Sequence, residues 1–595
     1  MIYQKFAVST VTAAVLIAVA ACSPTRNGTL TPSPADYEAY DTGRSTSASE
    51  SGAVAYPPVL LEKSEFSADL EQAVVSPAAP SAERHRLPAS PSISGQIVSA
   101  DKVPKFEAED REKYADVPAN PIVVTANQPT STFSIDVDSG SYANVRRFLN
   151  TGALPPKNAV RVEEMINYFS YDYERPEITD VPFSITTELA PTPWNDNTHL
   201  LHVGLQGYEI DPAERPDANL VFLIDVSGSM ESPNKLMLVK PAMKMLVNQL
   251  TADDTVSIVV YAGDSGAALE PTAGSEKRAI NRAIDSLKAG GSTNGRAGIE
   301  LAYDMAAENF KEDAVNRVIL VTDGDFNVGM SNIDRLKDLI EDKRESGIAL
   351  TTLGFGQGNY NDHLMEQLAD VGNGAYAYID NLNEARKVLV DEVSSTLLTI
   401  AKDVKIQVEF NPAVVAEYRL IGYENRHLAN EDFSNDNVDA GDIGAGHTVT
   451  ALYEVALVGN GGERNTPLRY GDSQTVTVNT DEVAELRLRY KDPQGDTSKL
   501  IKQQINKNEI IDTVDGSSDT FRFSAAVAAL GQQLSNDKYL GNFGATDILA
   551  LASGAKGEDT FGYRQEFENL TKLLDTLDVQ PERVDVGQLQ GEPRG

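Results

Sequence analysis

Two apolar runs dominate the pattern along the chain. Val221-Phe222-Leu223-Ile224 and Val318-Ile319-Leu320-Val321 are continuous, with neither helical spacing nor polar alternation. Runs of this length that end in turn residues read as strands buried on both faces. The segments around them alternate in type. TVSIVVYAG (255–263) and residues 347–355 read as strands, and 277–287, 295–310 and 333–343 as helices. A helix with Leu236, Val239, Met243, Leu246 and Leu250 on one face follows the first run. A further helix, a short strand in AYAYID and a last helix ending near Ile400 complete the series. Alternation at this spacing implies a parallel sheet covered on both faces.

On either side of that region the period drops to two. Phe183, Ile185, Thr187 and Leu189 alternate with other side chains, and so do Leu201, Val203 and Leu205. After residue 401, Val404, Ile406, Val408 and Phe410 alternate with Lys405, Gln407 and Glu409. Val449 to Leu457, Val476 with Val478, and Leu486 to Tyr490 repeat the pattern. These are half-buried antiparallel strands. Chain ends of compact domains often lie close together, which permits insertion. The predicted fold class is therefore α/β: a doubly wound parallel-sheet domain inserted between strands of a β-sandwich-like domain. Residues 182–216 and 401–492 should pack on each other. Small helical units are expected at both ends. One follows Asp136-x-Asp138-Ser139-x-Ser141, where Ser139 or Ser141 should cap a helix. The other comprises amphipathic helices at 521–534 and 563–577.

The N-terminal part is of another kind. Residues 23–125 are rich in Ser, Pro, Ala, Thr and acidic side chains and should be a disordered linker. A coil of roughly 100 residues spans about 50–60 Å. Before it, Lys5 and an apolar run at 11–21 fit a signal peptide at 1–22, since the run is too short to cross a bilayer. Val19-Ala20-Ala21-Cys22 resembles the bacterial lipoprotein cleavage box, which makes Cys22 the lipidation site. Ser23 resembles the outer-membrane sorting pattern of enteric bacteria. These features predict a lipid-anchored protein of the cell envelope, in the outer membrane of a Gram-negative bacterium. The remaining boundaries are 126–217 for helices then strands, 218–400 for the α/β domain, 401–500 for the β-rich part, 501–580 for the helical end and 581–595 for a disordered tail.

Composition narrows the function. A formal charge of −37 argues against nucleic acid, whose phosphates need clustered Lys and Arg. Cys22 is the one cysteine, so no intramolecular disulfide exists. The candidate chemistry sits where the first apolar run ends. Asp225, Ser227 and Ser229 leave the strand together, and short oxygen side chains in a tight loop suit a hard divalent cation. This D-x-S-x-S resembles the metal-ion-dependent adhesion site of von Willebrand factor type A domains. The resemblance implies a loop threonine and a second aspartate after a later strand, matched by Thr293 and Asp323. Ligands collect at the carboxyl edge of such sheets. The expected ion is Mg²⁺ or another divalent cation such as Mn²⁺ or Ca²⁺, and the expected partner is a protein that offers it a carboxylate.

Other constellations carry less. Asp136 and Asp138 resemble a second metal loop, but no further Thr and Asp accompany them. GFGQGN lacks the ending of a phosphate loop, and Asp323, Asp325, Asn327 and Asp334 miss the glycine position of an EF-hand. No histidine lies in H-E-x-x-H and neither Ser227 nor Ser229 in G-x-S-x-G, so the chain is not expected to be an enzyme. STFSIDVDSGSYANVRRFLN, RVEEMINYF, TDGDFNVG, AKDVKIQVEF and GAGHTVTALYE resemble the bacterial von Willebrand factor A lipoproteins of the YfbK type, over about 130–577. That resemblance implies an N-terminal conserved region, the metal-site domain and a C-terminal region peculiar to this family, and brings no defined physiological function. The metal loop itself leads to the expectation of metal-dependent protein–protein interaction. A purely stabilising metal site in a structural envelope protein, or a metal-dependent hydrolase, remain as alternatives.

Overall fold

The computed structural model describes residues 112–176, 181–211, 214–263, 265–292, 295–324, 333–466 and 480–577. A strap, 112–122, leads into β1 (Val123–Val124), β2 (Thr130–Ser134), α1 (Gly140–Asn150) and α2 (Val162–Asn167). Two long strands follow, β3 (Phe183–Thr192) and β4 (Asn195–Gly207). The α/β region then runs β5 (Ala218–Asp225), α3 (Leu236–Gln249), β6 (Thr255–Tyr261), β7 (Ser265–Ala273), α4 (Lys277–Ser286) and α5 (Gly295–Glu308). It continues through β8 (Val315–Thr322), α6 (Ile333–Glu345), β9 (Ala349–Phe355), α7 (Asp362–Val371), β10 (Tyr376–Ile379), α8 (Leu382–Arg386) and α9 (Val393–Leu397). The chain returns through β11 (Thr399–Phe410), β12 (Val415–Ile421), β13 (Ile443–Gly444), β14 (Thr448–Leu457), β15 (Glu482–Lys491) and β16 (Lys499–Asn506). It closes with α10 (Asp519–Ser535), α11 (Ala545–Ser553) and α12 (Tyr563–Leu577).

The α/β sheet has the order β10-β9-β8-β5-β6-β7. All neighbours are parallel except β7, which is antiparallel to β6. Every residue of β5 is buried, and the reason is its two-sided cover. Leu220, Phe222 and Ile224 face a core shared with α3 and α4. Val221 and Leu223 face the other core, with Ile299, Leu336 and Leu364 of α5, α6 and α7. A strand so placed has no polar face to display, hence the unbroken apolar run.

The flanking strands form one frame, and the α/β domain is an insertion in it. β4 precedes the insertion and β14 follows it, yet they pair antiparallel, with Leu201 opposite Tyr453 and Val203 opposite Ala451. The sheet β1-β12-β14-β4-β3 packs on β13-β11-β15-β16, to which β2 adds along β11. Leu201, Val203, Val449 and Tyr453 from the first sheet share a core with Ile406, Val408, Leu486 and Leu488 from the second. The first sheet's other face, through Leu200 and Leu452, packs on the terminal helices. Those helices are one layer rather than two units: Phe169 meets Phe523 at 5.1 Å, and Phe523 meets Phe567 at 5.4 Å.

Two expectations need correction, and one strand escapes the sequence pattern. The linker does not extend to 125. Asn120 is buried and donates to the Leu420 and Gly422 carbonyls, and β1 pairs with β12. Partners about 300 residues away order this polar strap, which local composition cannot show. Neither Ser139 nor Ser141 caps α1 through its side chain. Ser141 lies inside the helix and donates its hydroxyl to Ala159 O, while Glu164 accepts the Ser141 N–H at 2.7 Å and does the capping. The edge strand β7 carries no alternation in SGAALEPTA and was not expected. Residues 1–111, the Val476–Val478 stretch and the tail from 578 lie outside the described residues.

Three frame arginines hold the insertion. Arg146, in α1, is fully buried and pairs with Asp380 and with Glu384 at 2.9 Å, both beyond β9, and with Glu566 of α12 at 3.0 Å. Its Nη1 also donates to Tyr168 Oη at 3.0 Å. Arg161 reaches Asp362 at 2.6 Å, and Arg426 reaches Glu366 at 3.3 Å and Asp370 at 2.8 Å. An exposed pair such as Arg296–Glu300 contributes about 0–1 kcal/mol. Removing one partner of a buried set leaves carboxylates uncompensated and costs about 3–5 kcal/mol. Arg146→Met should therefore lower stability by about that amount in denaturant unfolding; a wild-type midpoint would contradict the assigned role.

Candidate metal centre

Register brings the site together. β5 and β8 are parallel neighbours with Ile224 opposite Val321, so Asp225 and Thr322 end their strands side by side and Asp323 follows. The Asp225 carboxylate is buried. Its Oδ1 accepts the Ser227 N–H at 2.8 Å and its Oδ2 accepts the Thr322 hydroxyl at 3.1 Å. Ser227 and Ser229 open a short 3₁₀ turn, and their hydroxyl oxygens lie 2.9 Å apart. Gly228 N–H donates to Gly291 O at 3.0 Å, and Gly290 N–H to Val226 O at 2.8 Å, which docks the 290–292 loop beside the serines. Thr293 itself lies outside the described residues. After Asp323 the chain turns away through Gly324 at φ +82°; a Cβ there would fall 2.6 Å from the Asn361 nitrogen.

The sequence-predicted Asp225, Ser227, Ser229 and Asp323 are thus brought to one edge. Burial, with the Asp323 charge adding to it, pushes the Asp225 carboxyl up to about 6 against the hydrogen bonds from Ser227 and Thr322. A buried carboxylate beside another is relieved by hydrogen bonds, by taking up a proton or by positive charge nearby. Carboxylate and hydroxyl oxygens are the donors a hard divalent cation takes, so the residues present fit such an ion.

Sequence reasoning missed one member of this edge. Lys235, just before α3, is buried, and its Nζ lies 2.8 Å from Asp323 Oδ2 and 2.9 Å from Asn359 Oδ1. Asn359 Nδ2 donates to the same Asp323 oxygen at 3.3 Å. Nothing in the pattern around Lys235 separates it from a solvated helix-start lysine.

A second acidic group lies at the frame–insertion seam. Asp136, Glu164 and Glu366 are buried with carboxylate oxygens within 4.8 Å of one another. Arg426 reaches Asp136 at 3.0 Å and Asp138 at 3.2 Å, and Arg161 pairs with Glu164. Guanidinium groups therefore serve these carboxylates. Asp362, Glu366 and Asp370 stand four residues apart along α7, a helical stripe that could have been read from NDHLMEQLAD.

Burial pushes the Glu164 carboxyl up to about 8 and Glu366 up to about 7, in each case against Arg161. A carboxyl raised in the folded state binds its proton more tightly there than in the unfolded chain. Its contribution is complete below the unfolded value near 4.5 and is lost as pH rises through the folded value. Measured against Glu164→Gln, which cannot titrate, the wild type should lose stability as pH rises from 5 to 8. Urea titrations of both proteins across that range check this; a difference between them that stays constant or moves in favour of the wild type as pH rises would contradict it.

Comparison with known proteins places the chain. The von Willebrand factor type A domain profile matches residues 219–391, a profile described as von Willebrand factor matches 108–202, and that of the C-terminal region of uncharacterized protein YfbK matches 395–577. The uncharacterized protein YfbK of Escherichia coli (strain K12) is 49% identical over 471 residues, 78% of this chain and 81% of its own. The uncharacterized protein sll0103 of Synechocystis sp. is 32% identical over 185 residues, 31% of this chain and 43% of its own. Among solved structures, the von Willebrand factor type A protein from Catenulispora acidiphila is similar at 16% identity, covering 67% of this chain and 91% of that one with a TM-score of 0.36. Identity of this extent, across both the inserted domain and the frame, shows that the chain belongs to the YfbK family of proteins with a von Willebrand factor type A domain.

Proposed function

We propose that this protein is a lipid-anchored binding protein of the cell envelope, attached at Cys22, whose von Willebrand edge takes a divalent cation and captures a carboxylate of a partner protein. The observation that carries the reading is the convergence of Asp225, Ser227 and Ser229 with Asp323 at the carboxyl edge of a sheet buried on both faces. In this reading the hydroxyls of Ser227, Ser229 and Thr293 hold the ion, while Asp225 and Asp323 supply the balancing charge directly or through ordered water. A Mg²⁺, Mn²⁺ or Ca²⁺ bound there supplies an open coordination position for an incoming carboxylate. The role is recognition, with no catalytic step.

The apolar cover of the sheet supports such a role: β5 and β8 are packed between apolar side chains, and the candidate ligands lie at their carboxyl ends or just beyond. The lipid attachment rests on Lys5, the apolar run at 11–21 and Val19-Ala20-Ala21-Cys22. Among the described residues no helix is long and apolar enough to cross a membrane.

The test is capture from envelope extract in Mg²⁺ and in chelator, with the wild type, Asp225→Ala and Thr293→Ala. The wild type should retain a partner in Mg²⁺ only. Either variant should lose at least nine-tenths of that capture with its circular dichroism unchanged. Capture that persists in chelator would put the binding surface elsewhere, and unfolding of both variants would make the site a structural staple.

A further inference from the structure

Lys235 is built into the metal edge rather than resting on it. Its side chain is 6% exposed and ends on Asp323 and Asn359. Its stem crosses Gly356 so closely that a Cβ there would fall 2.3 Å from Lys235 Cε and 2.6 Å from Cγ. Gly356 has φ +86°, so backbone and side-chain space both reserve this channel for the lysine. The Lys235 carbonyl accepts the Leu238 and Val239 N–H groups, which anchors the residue to the first turn of α3.

The charge count at the edge makes this placement consequential. Asp225 and Asp323 together carry two negative charges, and a divalent cation balances them. With Lys235 still on Asp323, the loaded edge would hold one positive charge in excess in a buried setting. An ammonium and a dication sharing one carboxylate repel strongly where the effective dielectric is low. With no ion bound, Lys235 compensates Asp323 and leaves Asp225, whose own bonds come from Ser227 and Thr322. The lysine thus stabilises the unloaded edge and opposes the loaded one.

We propose that Lys235 is a resident cation that competes with the divalent ion for Asp323, so that loading the edge requires the lysine to release that carboxylate. The proposal rests on the metal-site reading above and adds a specific residue that weakens the site. Release also frees Asn359, which shares Lys235 and Asp323 as partners. The adjoining Gly358 N–H donates to Glu112 Oε1 at 2.7 Å, so the loop beside the lysine is tied to the strap.

The test is Mn²⁺ binding to the full-length chain, followed by the electron paramagnetic resonance signal of free Mn²⁺. Lys235→Met should bind at least tenfold more tightly than the wild type, Lys235→Arg should stay near the wild type, and Asp225→Ala should abolish binding. Binding that Asp225→Ala abolishes but Lys235→Met leaves unchanged or weakens would overturn the proposal and spare the metal site. No saturable binding by the wild type or either Lys235 variant would remove both. A second measurement needs no Lys235 variant: acylation of the wild-type Lys235 amine, read by mass spectrometry, should rise when Mn²⁺ saturates the protein. Labelling that is unchanged or falls at saturation would likewise overturn the competition.

Discussion

Two adjacent parallel strands, one ending in Asp225 and the other followed at once by Asp323, create the constraint on which this structure turns. β5 and β8 are held in register along apolar side chains, so the positions of Asp225 and Asp323 follow from the core beneath them. Negative charge collected at a buried edge must be balanced. The protein meets this need with the Thr322 hydroxyl, the Ser227 N–H, the Asn359 amide and the Lys235 ammonium. The close turn at Gly324 and the passage of Lys235 over Gly356 are consequences of packing these groups together. The core beneath the edge thus sets where these groups stand.

The same logic appears at larger scale in the attachment of the inserted domain. Arg146, Arg161 and Arg426 come from three separate frame segments, and their partners lie on α7, α8 and the end of β10. A guanidinium offers several donors in a fixed fork, so one arginine can bind carboxylates from different elements at once. The insertion is therefore gripped at several points instead of hanging from its two chain connections. The strap adds a further tie: Lys113 N–H donates to Tyr360 O, and Glu112 pairs with Arg147 at 2.7 Å. The carboxyl edge of a sheet borne on such a mount keeps its orientation relative to the frame.

Much of this was legible from the chain alone, for physical reasons that can be named. β5 and β8 announce themselves because two-sided burial removes polar positions. Several frame strands announce themselves because a more polar face imposes a period of two, as in β11 and β15, whereas β14 is buried on both faces, between the second sheet and the terminal helices. β7 was illegible because a partly exposed edge strand has no such demand on its side chains. The strap and the Arg426 cluster depend on partners hundreds of residues away, and local pattern holds no trace of those. Ser141 misled because a serine after an aspartate looks like a cap, while the true cap of α1 is Glu164, a side chain from the next helix. Lys235 misled differently, since its burial is set by the Gly356 loop and not by its own neighbours.

The central claim is that the carboxyl edge of the α/β sheet, and not the buried carboxylate group at the seam, is where a divalent ion binds. Anomalous scattering from crystals of the protein grown with Mn²⁺ tests it directly. The account predicts an Mn²⁺ peak bound by the Ser227 and Ser229 hydroxyls beside Asp225, at Mn–O distances of about 2.0–2.6 Å. A peak among Asp136, Glu164 and Glu366 with the sheet edge empty would contradict it.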